Sequence, residues 1–291
     1  MKYLTILTLL FTLTAGANEK LLKAIPQECN IIIGVKVSDL LKVPIIKENL
    51  KNIPNAAQDE NLKPENIKEI IIGLKAQSEM ELTTFSQKPK GFIVLETVKP
   101  VKLNDALKML SDDDVKITKQ TYLNKEYYEG ESNGEIIGIH QISDTLFIMG
   151  TKELLHKGMS VSNAAGKNIM DSAIMKKLLK PEAGLIYSGG FMSQSPDFKG
   201  YSLLLNYNKG LKLNTKLYCK KAEKATALAA QGNALVPMLT ANPQMGIKPE
   251  HIKITASGTS LNVSAFVSEN TLKQIPMMIQ SMMMPKMEPQ Q

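Results

Sequence analysis

Three histidines, two cysteines and 28 acids are the residues with which this chain could do chemistry. His140, His156 and His251 are far apart in sequence, with no H-E-x-x-H and no cysteine pair at metal spacing. Zinc therefore has no local signature. His140 shares a strand face with Ile136, Gly138 and Ile142 and reads as a strand-surface or half-buried residue and not a ligand. His156 falls late in a short helix, where a cation suits the helix dipole, and His251 opens a strand. A nucleophile elbow needs G-x-S-x-G on a strand-to-helix turn, and none occurs; Ser188-Gly189-Gly190 reads as a bend or bulge at a strand end. Gly166-Lys167-Asn168 lacks the upstream Gly and the following Ser or Thr of a phosphate loop. Asp112-Asp113-Asp114 lacks the spaced ligands of a calcium loop and reads as a solvated helix end. Paired carboxylates for glycoside hydrolysis need a defined separation that sequence does not give; the absence of Trp counts against a sugar-stacking cleft. The reading is a chain with no catalytic residue, no metal site and no cofactor.

Cysteine and methionine offer more. Cys29 and Cys219 are either one disulfide, closing a loop that could stabilise by about 3–5 kcal/mol, or two buried thiols. Of 16 methionines, six crowd the C-terminal end: Met277, Met278, Met282, Met283, Met284 and Met287. Leu272, Ile275, Met278, Ile279, Met282 and Met283 fall on one helical stripe, with Pro276 kinking it or delaying its start. Three roles compete for the methionines. They can pack a last helix, present a plastic apolar surface to a partner or ligand, or offer thioethers to Cu(I), which soft ligands favour.

Charge and compartment narrow the partners. Every one of the 35 basic residues is Lys, and the net charge is +7. Without Arg the chain lacks the rigid fork that grips phosphate or guanine, and its lysines are scattered among acids, so no nucleic-acid partner is expected. Met1-Lys2, an apolar run over 3–14 and Ala15-Gly16-Ala17 form the export pattern, with cleavage after Ala17. Asn18 stands where a lipoprotein would carry Cys. The expected product is released into the periplasm or medium, with no integral span after cleavage.

The elements read as short strands alternating with short helices. Ile31, Ile33, Val35 and Val37 alternate with polar or small residues, and Ser38 caps a helix that Pro44 delays or splits. Strands are expected at 67–75 and 91–97, a helix at 103–110, and a strand pair at 115–118 and 126–129. A hairpin at 135–150 and a helix at 151–159 follow. The second half repeats this grammar: a hairpin over 201–219 about Asn208-Lys209-Gly210, an Ala-rich helix at 221–239, a hairpin over 251–267 and a helix capped by Ser268. The fold class predicted is α+β, with mainly antiparallel sheets covered by helices in two ferredoxin-like halves. Residues 18–161 would form the first half and 167–284 the second, with 285–291 a disordered tail.

Ile25-Pro26 leading into Ile31-Ile32-Ile33-Gly34-Val35, Ser38-Asp39-Leu40-Leu41, and the run Asp144-Thr145-Leu146-Phe147-Ile148-Met149-Gly150 carry a resemblance. In these stretches the chain resembles uncharacterised secreted proteins of planctomycete and verrucomicrobial-type bacteria, a domain-of-unknown-function family of duplicated α+β folds. The resemblance implies export and duplication and brings no catalytic residue with it. The expected function is a secreted or periplasmic non-catalytic binding or scaffold protein, its partner an unknown protein or apolar ligand. A periplasmic carrier or chaperone for an apolar ligand is the alternative, and an extracytoplasmic hydrolase the remaining one.

Overall fold

Isoleucine-rich alternation sets the centre of the structure. The computed structural model describes residues 19–50, 63–76, 90–107, 116–132, 134–179, 184–192, 194–241 and 246–274. The chain divides into two compact units, Met1–Leu204 and Leu205–Gln291, and the division falls inside one strand. The residues of the expected leader, Asp112-Asp113-Asp114 and the C-terminal methionines lie outside the described residues.

In the first unit, β1 (Ile31–Val35) pairs antiparallel with both β2 (Ile67–Lys75) and β8 (Ile186–Phe191). From β2 the sheet continues through β3 (Lys90–Thr97), β7 (Leu146–Thr151), β6 (Glu135–Ser143), β5 (Lys125–Ser132) and β4 (Thr118–Tyr122). Beyond β8 lies β9 (Phe198–Tyr207). Two short helices, α1 (Val37–Leu40) and α2 (Pro44–Leu50), follow β1. Pro44 opens α2, where its missing N–H costs nothing. One sheet face carries Ile32, Ile71, Phe92, Val94 and Ile148, all fully buried. It is covered by α4 (Lys152–Ser162), whose Gly158 has no Cβ because the Phe92 ring occupies that space. Leu178 and Leu179, at the end of α5 (Ala173–Leu178), lie over Gly189 in the same way. On the other face Leu95, Phe147, Met149 and Ile139 pack with Val101 and with Ala106 of α3 (Leu103–Leu107).

In the second unit, β10 (Gly210–Cys219) pairs with β12 (Ser260–Ser268), and β12 with β11 (Ile252–Ser257). Lys209 takes φ 53°, Gly210 151° and Gly258 54°, so glycine sits at two of the positions where positive φ is needed. The long helix α6 (Ala222–Thr240) packs over β11, its Gly232 against Ile254. Ser268 accepts the Thr271 N–H at 3.2 Å and starts the helical residues 269–274.

These observations correct the predicted class. The α+β arrangement of two ferredoxin-like halves is replaced by a mostly β arrangement, 44% strand and 33% helix among the described residues, with antiparallel strand pairing in each unit. The physical reason is β8, whose pairing with β1 makes the sheet run on through residues 162–166, where a boundary between halves was expected. Those residues close α4: Asn163 and Ala164 donate to Met159 and Val161 carbonyls within the first unit.

Candidate functional site

Cys29 and Cys219 are both fully buried. Cys29 belongs to the first unit and Cys219 to the second. Cys29 Sγ fills the space over Gly73, 2.9 Å from where a Cβ would stand, and burial pushes its thiol up to about 12. Met277, Met278, Met282, Met283 and Met284 lie outside the described residues.

The first polar cluster sits on the helix-covered face of the central strands. Glu69 of β2 is 2% exposed and Tyr187 of β8 fully buried, and the Tyr187 hydroxyl donates to Glu69 Oε1 at 2.9 Å. The ring crosses β1 over Gly34, where a Cβ would overlap it. Glu96 stands opposite Glu69 across β2 and β3 and meets Lys68 at 3.1 Å. Burial raises the Glu69 carboxyl, and Glu96 adds to this, while the Tyr187 hydrogen bond and Lys36 and Lys68 work the other way. Two carboxyls with environments this different are what acid–base chemistry uses. Substrate access is the missing requirement, since Glu69 is closed off from solvent.

The second cluster surrounds His156 on α4. Tyr122 of β4 stacks on the imidazole at 4.0 Å and 6°, and Tyr127 of β5 meets its edge at 5.2 Å. Tyr127 donates to Glu129, which also receives Lys152. Burial lowers the His156 pKa, and Lys152 lowers it further. His156 Nε2 is buried without a hydrogen-bond partner, so the ring behaves as an aromatic wedge between the β4–β5 hairpin and α4. His140 is 8% exposed, and its Nδ1 lies 2.7 Å from the Glu126 carbonyl. His251 Nδ1 accepts the Lys248 N–H at 3.2 Å. No group of three metal-binding side chains occurs among the described residues. Ser188 is committed as well, donating to the Ile32 carbonyl at 2.8 Å.

The third cluster is ionic. Glu153, in the first turn of α4, receives Lys90 at 2.8 Å, Lys75 at 3.2 Å and Lys157 at 3.3 Å. Their hydrogen bonds hold its carboxyl down to about 2. The cluster ties α4 to β2 and β3 at a solvated surface, with Lys157 shared between Glu153 and Glu28.

The remaining feature is apolar. Residues 225–241, most of α6, contain no charged side chain. One stripe, Ala225, Ala229 and Val236, is buried against the sheet. The opposite stripe, Ala227, Ala230, Ala234, Leu235 and Met238, is exposed, with Leu239 beside it. Leu235 is 49%, Met238 69% and Leu239 57% exposed. A helix without a charged face is ordinarily covered on all sides. The Ala-rich run was readable in the sequence as a helix; the signal for a surface was its lack of any Lys or Glu, a pattern that an alternation search does not score.

No family model, curated protein or solved structure matches this chain. No helix among the described residues is long and apolar enough to cross a membrane.

Proposed function

We propose that the protein is an exported, non-catalytic binding module that holds an apolar ligand or chain on the outer face of α6. The observation that carries this reading is the exposed, charge-free stripe ending in Leu235, Met238 and Leu239. Exposed apolar side chains scattered singly need no partner, whereas a contiguous stripe with no charge for four turns does. The export pattern at the N-terminus supports an extracytoplasmic setting. Engagement of the polar side chains supports a non-enzymatic role: Glu69 and Tyr187 satisfy each other inside the sheet, and Ser188 is bonded to backbone.

A hydrolase reading has one observation in its favour, the Glu69–Glu96 pair on adjacent strands. A screen of ester, peptide and glycoside substrates separates the two readings. The binding reading predicts no turnover above a heat-denatured control. Turnover that is abolished by Glu69→Gln and retained by Leu235→Ser would overturn it.

A further inference from the structure

The sheet of the second unit has a face with a chemistry quite different from that of α6. Residues two apart on a strand share a face, and the register of β10, β12 and β11 sets them side by side in rows. Lys212 and Lys216 flank Asn214 on β10, and Ser264 and then Lys253 continue the Asn214 row across β12 and β11. Asn262 stands beside Lys216, and Phe266 beside Lys212. Tyr218 follows on β10, with Lys216 Nζ 5.1 Å above its ring. Ile254 points the other way, against Gly232 of α6, so these rows lie on the face that α6 does not cover. None of these side chains is buried, and Lys212 and Lys253 are exposed. The three strands contain no Asp or Glu, in a chain with 28. The carboxylates that adjoin β11 and β12, Glu250 and Glu269, meet Lys248 at 4.0 Å and Lys273 at 3.0 Å. The field over the face is therefore positive, with nothing within the strands to offset it.

We propose that this open face of β10, β12 and β11 binds an acidic polysaccharide, with Lys212, Lys216 and Lys253 meeting its carboxylates. Four strand residues separate Lys212 from Lys216 by about 13 Å, and two strand spacings put Lys253 about 10 Å from Asn214. Charges so spread match a polymer and not a single small anion. Between them Asn214, Ser264 and Asn262 offer amide and hydroxyl groups that both donate and accept, the complement of sugar hydroxyls. Ser264 Oγ donates to Asn214 Oδ1 at 3.1 Å, which orients that amide. Tyr218 and Phe266 place ring surface at the two ends of the patch, where a sugar ring stacks on an open face without needing a cleft. A nucleic acid fits less well, because no Arg supplies the fork that grips phosphate or guanine. An anionic bilayer also fits less well, because the face presents no aliphatic side chain to enter it. The surface lies across the sheet from the α6 stripe and is independent of it.

Affinity electrophoresis of the full chain through gels containing polygalacturonate reads the binding. The expected result is retardation at low salt that weakens as ionic strength rises, because exposed lysines are screened. Lys212→Gln/Lys216→Gln/Lys253→Gln should lower the affinity about ten-fold or more. A control of equal charge, Lys99→Gln/Lys102→Gln/Lys125→Gln, changes three exposed lysines of the first unit and should bind within about two-fold of wild type. Tyr218→Ala should weaken binding of polygalacturonate and leave unchanged that of polyglutamate, which offers charge without sugar rings. Far-UV circular dichroism checks folding, and Lys212→Gln alone, at an exposed position, should still weaken binding if the triple variant does not fold. No retardation, or equal losses in the two triple variants, would overturn the proposal. Tighter binding of polyglutamate or of phosphatidylglycerol vesicles than of polygalacturonate would also overturn it, by assigning the face to an acidic protein or to a membrane. Leu235→Ser/Met238→Ser/Leu239→Ser should leave polygalacturonate binding intact, so this proposal and the α6 reading fail separately.

Discussion

Replacing Tyr187 by Phe takes one oxygen from the buried face of the sheet and leaves the ring over Gly34 in place. The lost interaction is a 2.9 Å hydrogen bond to a carboxyl that is 2% exposed. A neutral hydrogen bond contributes about 1 kcal/mol net, and stripping a buried acceptor of its donor adds its desolvation cost, so the expected loss is about 1–3 kcal/mol. With a urea m-value of about 2 kcal/mol/M, the midpoint falls by roughly 0.5–1.5 M. Glu69→Gln separates the charge from the hydrogen bond, because the amide oxygen still accepts from Tyr187. Burial raises the folded-state pKa of Glu69 above its unfolded value. Its stabilising contribution is therefore complete below the unfolded pKa of about 4.3 and is lost as pH rises through the folded value. Wild type and Glu69→Gln should match near pH 4, and the variant should gain on wild type as pH increases. The pair Tyr187→Phe with Glu69→Met replaces both partners by apolar groups and should cost less than the sum of the single changes. Urea unfolding followed by far-UV circular dichroism at several pH values reads the wild type, Tyr187→Phe, Glu69→Gln, Glu69→Met and the double variant. A Tyr187→Phe stability within about 0.3 kcal/mol of wild type, or a Glu69→Gln variant that loses stability relative to wild type with rising pH, refutes the reasoning.

The same chemistry makes three further expectations. Gly34→Ala drives a methyl into the Tyr187 ring and should destabilise by about 1–3 kcal/mol as an overpacked core; thermal melting should show partial recovery on adding Tyr187→Leu, and no recovery would place the strain elsewhere. Cys29 and Cys219 should resist a thiol reagent near neutral pH in the folded chain and both react in guanidinium, since both side chains are fully buried; one equivalent reacting in the native state would contradict the packing of that residue. Burial depresses the pKa of His156, so its contribution is complete above the unfolded value of about 6.5 and is lost as pH falls through the folded one. His140 shifts the same way, so His156→Phe, which keeps a stack on Tyr122, should remove part of the acid-side loss in a pH series of melts; an unchanged acid limb would show that the ring does not titrate there.

Strand periodicity was legible wherever apolar and polar residues alternate. β2 runs Ile67–Lys75 as its alternation predicts, and the hairpins about Asp144 and about Lys209-Gly210 fall where turn residues stand. Sheet order was not legible, because alternation says which residues share a face and not which strands are neighbours. β1 pairs with β8, more than 150 residues away, and β8 itself reads as a bend because of Gly189-Gly190. Those glycines are there for packing: Leu179 occupies the space over Gly189 and Tyr201 the space over Gly190. β4 was placed a few residues early because its turn, Leu123-Asn124, takes φ of 50° and 58° with no glycine to mark it. Glu69 could have been found: it shares a face with Ile71 and Gly73 and is the one acid in that row. Its partner could not, because Tyr187 is brought to it only by the order β8-β1-β2.

The central claim is that the outer face of α6 holds an apolar ligand or chain. Native mass spectrometry of the protein, beside Leu235→Ser/Met238→Ser/Leu239→Ser prepared identically, tests it most directly. The account predicts a species heavier than the chain alone, lost in the triple variant while the circular dichroism spectrum is unchanged. A wild-type protein that carries nothing, or a bound species that survives the triple substitution, would contradict it.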